Sequence, residues 1–488
     1  MVLQARPIIK ILCIVTAVVG TAMLFPAVVS LAYGERREAV AFFSCCLPMI
    51  AIGLAAARFI DVPKDNALRM RDGFFIVGSS WLLMSLAGAL PFIITGSIPN
   101  VFDAYFETAS GFTTTGATIL RDVEALPNGI LFWRSFTHWL GGMGILLLTI
   151  ALLPMLGIGG QKIMRAETTG PTMDKITFTI NDTAKGLYKI YVGMTVLQIV
   201  LLFAGGLSLF DAAVHTFGSV GTGGFSIYNR SIGYYDNFYV DMVITIFMLA
   251  AGVNFSLYFK LFTGEASQFF HDFELRMYVR IVAASTVFIA GMLFLKGYYA
   301  DIVQSFRHAF FQVASIITTT GYATTDFNMW PAACKMVLFA LMVTGPCASS
   351  TGGGIKVIRA ALIAKLIQRG IYRRTHPDAV FPIRAGGRTV PADVMSGVVG
   401  FVLVFIVVST AAFLFLCLED VDGVTAASSV IACISNIGPG FEAVGPVGNF
   451  AFYSNASKFM LSILMITGRL ELYTVLLLFM PMFWNRNR

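Results

Sequence analysis

The chain has 488 residues, of which 57% are hydrophobic and only 12% charged, with 43 Phe and a mean hydropathy of +0.77. This composition excludes a soluble multidomain protein and places the chain among polytopic membrane proteins. The net charge of +7 reads as a topology signal and gives nucleic-acid binding no place.

Apolar runs long enough to cross a bilayer recur at 8–33, 38–59, 72–96, 128–157, 186–207, 237–262, 276–296, 331–345 joined to 355–369, 392–417 and 455–483. The first follows Arg6 and Lys10, but it is long, lacks a small-residue cleavage site and is followed at once by another span, which predicts an anchor rather than a signal peptide. Basic residues collect in alternate loops: Arg58, Lys64, Arg69 and Arg71; then Lys162, Arg165, Lys175, Lys185 and Lys189; then Lys356, Arg359, Lys365, Arg369, Arg373, Arg374, Arg384 and Arg388. The positive-inside rule puts these loops, and both termini, in the cytoplasm. The seven cysteines lie scattered through apolar stretches without a CxxC, and the five histidines are equally dispersed, so neither a metal centre nor a catalytic cluster is predicted.

Four related segments punctuate the spans: GFTTTGAT (111–118), GSVGTGGF (218–225), ITTTGYAT (317–324) and ISNIGPGF (434–441). Superposed, they put Gly116, Gly223, Gly321 and Gly438 in one column, 107, 98 and 117 residues apart, as expected of one supersecondary unit used four times. Asp103, Asp211, Asp301 and Asp422 open the short apolar segments before these loops, where an Asp caps a helix and complements its dipole. Each unit reads as span, short re-entrant helix, Gly/Thr loop, span. Non-helical backbone at membrane depth survives only buried in protein or lining a water-filled path. Glycine at positive φ lets successive carbonyls turn toward one axis, and a neighbouring Thr adds a hydroxyl oxygen. Such a ring of neutral oxygens suits a weakly hydrated monovalent cation better than Ca²⁺ or Mg²⁺, which usually take carboxylates.

The stretch from Gly345 to Gly354, GPCASSTGGG, interrupts the run 331–369 with residues that cannot sustain a helix in lipid. It lacks the GxxxxGK[ST] spacing of a phosphate-cradling loop. Arg469, inside the last apolar run, is costly there and so a functional candidate by default; a structural pair with Glu471 or with loop carbonyls is the other reading. In HWLGGMG (138–144), Gly141, Gly142 and Gly144 read as close helix packing and His138 and Trp139 as interface residues.

Over nearly its full length the chain resembles the superfamily of Trk, Ktr and HKT potassium transporters, and within it the TrkH-type membrane subunits of the bacterial Trk system. The motifs that carry this are HWLGGMGILLL (138–148), ALLPMLGIGGQKIMRAET (151–168), AGVNFSLY (251–258), ITTTGYATTDF (317–327), GPCASSTGGGIKVIR (345–359), NIGPGFEAVGPVGNF (436–450) and GRLELYTVL (468–476). The resemblance implies an all-α polytopic membrane protein: four pseudo-symmetric span–pore-helix–span units around one central pore, plus two extra N-terminal transmembrane helices. The units fall at 67–175, 176–264, 265–385 and 386–488, after an N-terminal pair in 1–66.

Each loop then corresponds to a potassium-channel filter that keeps only its first glycine. The implied ion-lining residues are Thr114, Thr115 and Gly116; Gly221, Thr222 and Gly223; Thr319, Thr320 and Gly321; and Asn436, Ile437 and Gly438. Loops two and four depart from Thr at the outermost lining position, with Gly221 and Asn436, so the ring is expected to be asymmetric. The family reading makes 345–354 an intramembrane loop beneath the filter that acts as a gate, with Gly345, Gly352, Gly353 and Gly354 supplying its freedom; Arg469 lies near the pore axis below the filter.

The function so implied is potassium uptake across a bacterial inner membrane, with K⁺ as the transported ion, no covalently bound cofactor and no enzyme activity. The implied partners are a second copy of the chain and a cytosolic ring of TrkA-type nucleotide-binding subunits docked on the basic loops. A secondary symporter coupling K⁺ to H⁺ or Na⁺ is the alternative; it calls for buried carboxylates at mid-span, and no clear pair stands out. A membrane enzyme would need the clustered His, Asp, Glu or Cys that the sequence lacks.

Overall fold

A computed structural model of the chain describes residues 4–62, 69–144, 180–262 and 264–484. Lys64, Lys162, Arg165, Lys175, the motif at 151–168 and the part of the 128–157 run past residue 144 lie outside them.

Helices α1 (Ala5–Ala22) and α2 (Leu24–Ala32) run on as one 28-residue span, and α3 (Arg36–Phe59) packs back along it. The turn between them carries Glu35, whose carboxylate accepts the backbone N–H of Asn128 at 2.6 Å and of Gly129 at 2.9 Å. Those are unsatisfied donors at the start of α6 (Asn128–Gly142), so one buried-side acid ties the N-terminal pair to the first unit. That unit begins with α4 (Met70–Thr95) and the short α5 (Val101–Phe112). Gly88 of α4 leaves room for α5, since a Cβ there would meet Thr108 Cγ2 at 2.6 Å and the Phe112 ring at 2.7 Å.

The pattern repeats. The second unit has α7 (Ile180–Ala204), α8 (Leu209–Val220), α9 (Phe238–Ala251) and α10 (Phe255–Phe262), and α11 (Ala266–His271) leads to the third. That unit comprises α12 (Phe273–Leu295), α13 (Ile302–Ile317), α14 (Ala332–Thr344) and α15 (Val357–Thr375). The fourth has α16 (Ala392–Leu416), α17 (Gly423–Ile434), α18 (Asn455–Arg469), α19 (Tyr473–Phe479) and α20 (Pro481–Trp484). Helices α5, α8, α13 and α17 have 12, 12, 16 and 12 residues and cannot cross a bilayer. Asp301 and Asp422 cap α13 and α17 as expected. In the first two units the caps are Asn100 and Ser208; Asp103 and Asp211 sit in the first turn instead, because each helix starts earlier than the acid. Asp103 is used elsewhere, in a 2.7 Å ion pair with Lys458.

Among the described residues six helices, or seven if α9 and α10 count as one, are long and apolar enough to cross a membrane alone. Three of the other expected spans, 237–262, 331–369 and 455–483, are broken. Helix α9 meets α10 at 92°, α14 and α15 are separated by residues 345–356, and α18 and α19 by 470–472. The second span of each unit therefore stops its helix at a common stage, at Gly142, Ala251, Thr344 and Arg469.

Among the described residues the chain departs from all-α in one place, a hairpin pairing Arg384–Ala385 with Arg388–Thr389. Its two-residue turn is Gly386-Gly387, with φ of +56° and +81°, the left-handed pair that a type I′ turn requires.

Candidate functional site

The four Gly/Thr loops begin where the short helices end, and they share one conformation. Thr114, Thr222, Thr319 and Asn436 all take left-handed backbone, with φ of 56°, 54°, 58° and 55°. Non-glycine residues rarely adopt it, and such strain collects at functional sites. Two residues later Gly116, Gly224, Gly321 and Gly438 take φ of 80°, 78°, 86° and 97°. The second loop is thus displaced by one from the expected register: the equivalent of Gly116 is Gly224, and Gly223 does not have positive φ. Thr115, Gly223, Thr320 and Ile437 share the position between, and Gly221 falls level with Thr113, Thr318 and Ser435 as the helix cap. Three loops consequently carry Thr at the left-handed position, and Asn436 alone departs.

The loops close on one another in chain order. A Cβ on Gly116 would meet the carbonyl of Gly223, and one on Gly224 the carbonyl of Thr320. A Cβ on Gly321 would meet the carbonyl of Ile437, and one on Gly438 the carbonyl of Thr115 at 2.7 Å. Each glycine therefore faces the carbonyl that precedes the next glycine, and the fourth loop returns to the first. Two side-chain oxygens at the left-handed level, Thr114 Oγ1 and Asn436 Oδ1, are buried with no hydrogen-bond partner. In the first and third loops Thr113 is tied to Thr115 and Thr318 to Thr320, each at 2.8 Å. The amide of Asn436 donates across to Thr115 Oγ1 at 2.9 Å.

Behind the ring stand polar braces that sequence reasoning missed. His138, expected at an interface, is fully buried. Its Nε2 accepts the N–H of Phe225 at 3.2 Å, so Nδ1 carries the proton and donates to the Gly111 carbonyl at 2.8 Å. Its ring also fills the space a Cβ on Gly223 would need. One turn earlier on α6, Arg134 pairs with Glu107 at 2.6 Å, donates to Ser226 O at 2.9 Å and lies 3.5 Å from the Phe225 ring centroid. Glu107 also accepts from the Ile119 N–H at 3.0 Å and from the Thr118 hydroxyl at 2.9 Å. Tyr322, next to Gly321, donates toward Phe225 O at 3.2 Å and His215 O at 3.1 Å. Phe225, directly after Gly224, is thus held by both the first and the third units. The one signal available in the sequence was the match of Gly224-Phe225 to Gly321-Tyr322, which the glycine doublet obscured.

Removing one member of so buried a pair leaves the other uncompensated, at a cost of about 3–5 kcal/mol. Arg134→Met is therefore expected to lower membrane yield and thermal midpoint sharply. Arg134→Met with Glu107→Gln should recover part of both, as read by size-exclusion thermal melts of the two proteins.

Below the ring lies the stretch 345–354, in direct contact with the loops. The Gly353 N–H donates to Thr319 Oγ1 at 2.8 Å. A Cβ on Gly352 would meet Thr318 O at 2.6 Å, and one on Gly353 would meet Asn436 Oδ1 at 2.9 Å. The left-handed level of the ring is therefore its end nearest this stretch, not its outermost. Gly345 and Gly354, with φ of 70° and 74°, turn the chain at either end. The second unit's break holds its far side, where Gly252 O accepts from Cys347 N at 3.1 Å and Ala251 O from Thr351 Oγ1 at 3.2 Å. Glu274 accepts from Ala348 N at 2.8 Å and Ile358 N at 3.2 Å. The buried Lys356 folds back onto the Gly352 carbonyl.

Arg469 joins the units. The residue is 9% exposed, and its guanidinium donates to Thr351 O, to Gly141 O at 2.6 Å and to Gly142 O at 2.9 Å. The carbonyl pairing is the one present; Glu471 pairs with Arg359 at 2.5 Å. Gly141 and Gly142 do allow close approach, because a Cβ at either would run into Phe112 O or the Gly221 Cα.

The family model for TrkH, described as cation transport protein, matches residues 41–486. The chain is 38% identical to the Trk system potassium uptake protein TrkH of Escherichia coli K12, over 98% of this chain and 99% of that one. It is 36% identical to the protein of that name from Halomonas elongata, over 99% of this chain and all of that one. The crystal structure of the potassium transporter TrkH from Vibrio parahaemolyticus superposes with a TM-score of 0.87 at 36% identity, covering 99% of this chain and 100% of that one. Fold and sequence both match over nearly the full length of these relatives, and the chain belongs to the TrkH family of cation transport proteins.

Proposed function

We propose that this chain takes up K⁺ across a bacterial inner membrane, conducting it through the ring of four loops. The observation that carries this reading is the closed succession of glycines and carbonyls, Gly116 on Gly223, Gly224 on Thr320, Gly321 on Ile437 and Gly438 on Thr115. Backbone carbonyls of Thr115, Gly223, Thr320 and Ile437, with Thr114, Thr222, Thr319 and Asn436 below them, replace the water of a monovalent ion. Gly221, at the helix cap, supports its loop from behind. Glu107, bound to Thr118 and Ile119 just after the first loop, is neutralised by Arg134, so the ring offers dipoles rather than a net negative charge.

The stretch 345–354 is the gate, and Arg469 holds it closed by binding Thr351 O from across the bundle. Helix α15 and the hairpin carry exposed Arg373, Arg374 and Arg384 on the cytoplasmic side, a surface that suits an acidic face of a TrkA-type nucleotide-binding ring. A homodimer of the chain completes the assembly.

Potassium and sodium influx into vesicles holding the purified protein, at zero membrane potential and with or without a proton gradient, tests this. K⁺ flux that exceeds Na⁺ flux and ignores the proton gradient is the expected result. Flux that stops without the proton gradient would instead make the chain a symporter.

A further inference from the structure

The outward surface of the second and third units holds a feature that ion conduction does not use. Helices α9, α12 and α13 enclose a cavity of about 440 Å³, walled by Leu249, Val253, Val282, Ala283, Phe306 and Phe310. Apart from the hydroxyls of Thr286 and of Tyr278, which donates to Leu249 O at 3.2 Å, the wall is apolar. Its mouth is framed by exposed residues of a membrane span, with Val279 55% and Val287 68% exposed. At that depth the surrounding medium is acyl chain, not water.

The same face of α12 carries charge. Arg276, Arg280, Ala283 and Val287 recur at helical spacing and are all exposed. Arg276 turns back onto the carbonyls of His271 at 2.9 Å and Asp272 at 3.3 Å. Arg280 makes no hydrogen bond or ion pair among the described residues. It sits seven residues past the first residue of α12, about 10 Å into the span, within snorkelling reach of a headgroup. A guanidinium on the outer face of a span is costly unless it meets an anion there.

We propose that this groove is a site for one anionic phospholipid, its phosphate on Arg280 and one acyl chain in the cavity. The lipid belongs to the leaflet on the side of the basic loops; naming it cytoplasmic rests on the topology proposed above. Its chain packs against Leu249, Ala250 and Val253, which flank the break between α9 and α10. That break supplies the Ala251 and Gly252 carbonyls that hold Thr351 and Cys347. Occupancy therefore steadies the support of the intramembrane loop, and flux depends on the lipid.

The test uses the full chain, purified and exchanged into phosphatidylcholine with or without phosphatidylglycerol, with retained lipid counted by native mass spectrometry. The wild type should retain phosphatidylglycerol in preference to phosphatidylcholine. Arg280→Gln should weaken that retention about fivefold, the worth of one basic residue near anionic headgroups. Ala283→Trp, which fills the mouth, should remove it. In pure phosphatidylcholine Arg280→Gln should melt and carry ions like the wild type, and only the wild type should gain flux when phosphatidylglycerol is added. Equal retention of both lipids by the wild type and Arg280→Gln overturns the site. So does Ala283→Trp changing the oligomeric state while lipid retention stays, which would mean that a second copy covers the cavity. Should the Trp variant fail to fold, Ala283→Leu replaces it. Lipid retention is read without ion flux, so a chain that proved not to carry K⁺ would still report on this site.

Discussion

Gly224→Ser is expected to abolish the preference for potassium over sodium while leaving a folded protein in the membrane. Gly224 has φ of 78°, where a side chain costs about 1–2 kcal/mol, and its new Cβ would be driven into the Thr320 carbonyl. That carbonyl cannot yield without moving Gly321, the corresponding residue of the third loop, whose carbonyl carbon lies 3.2 Å from the same Cβ. A displacement worth about 1.4 kcal/mol between the two ions is tenfold in flux ratio, so the loss should reach at least that. Gly116, Gly321 and Gly438 should behave alike, each through the next loop's carbonyl. Gly223 offers the control. Its φ is ordinary and its Cβ would strike the His138 ring, so Gly223→Ala should be partly rescued by His138→Ala, whereas Gly224→Ser should not. If Gly224→Ser keeps wild-type K⁺/Na⁺ flux, the assignment of this loop is wrong.

Arg469→Ala is expected to raise basal flux, by tenfold or more, without altering ion preference. The guanidinium holds carbonyls from two other units at once, Thr351 of the third and Gly141 and Gly142 of the first. Hydrogen bonds to a charged group are worth about 1.5–3 kcal/mol each, so losing the one to Thr351 O releases the 345–354 stretch from its tether to the fourth unit. The positive charge also opposes a cation, and low local dielectric strengthens that opposition. Arg469→Lys separates the two contributions. It keeps the charge but cannot reach three carbonyls with a planar fork, so leak intermediate between wild type and Ala assigns part of the effect to tethering. A well-expressed Arg469→Ala protein with wild-type basal flux would show that this residue neither blocks nor holds the pathway.

The membrane class, the fourfold repeat, the loop positions and the family were all legible in the sequence, because each rests on short-range features. Apolar run length follows from bilayer thickness, and a Gly/Thr stretch directly after a short apolar helix marks non-helical backbone wherever it occurs. Three of the four ring glycines, Gly116, Gly321 and Gly438, could be placed in this way. The fourth could not. Thr222 is flanked by Gly221 on one side and Gly223-Gly224 on the other, so sequence matching leaves a slip of one residue undecided. The positive φ of Gly224, and the carbonyl of Thr320 closing on it and not on Gly223, give the register in the fold.

The break at 345–354 was legible, but the breaks at 252–254 and 470–472 escaped the sequence for a related reason. Hydropathy averages over a window and passes smoothly across 252–254 and 470–472, whose helix ends are stabilised by contacts made elsewhere in the chain. The braces are the clearest case of what tertiary structure alone decided. His138 and Phe225 are 87 positions apart, and Arg469 and Gly141 are 328 apart. A buried His or Arg on an apolar helix has a recognisable cost in any sequence, but the partner that offsets it is chosen by how the units close around one axis, and no local pattern records that choice.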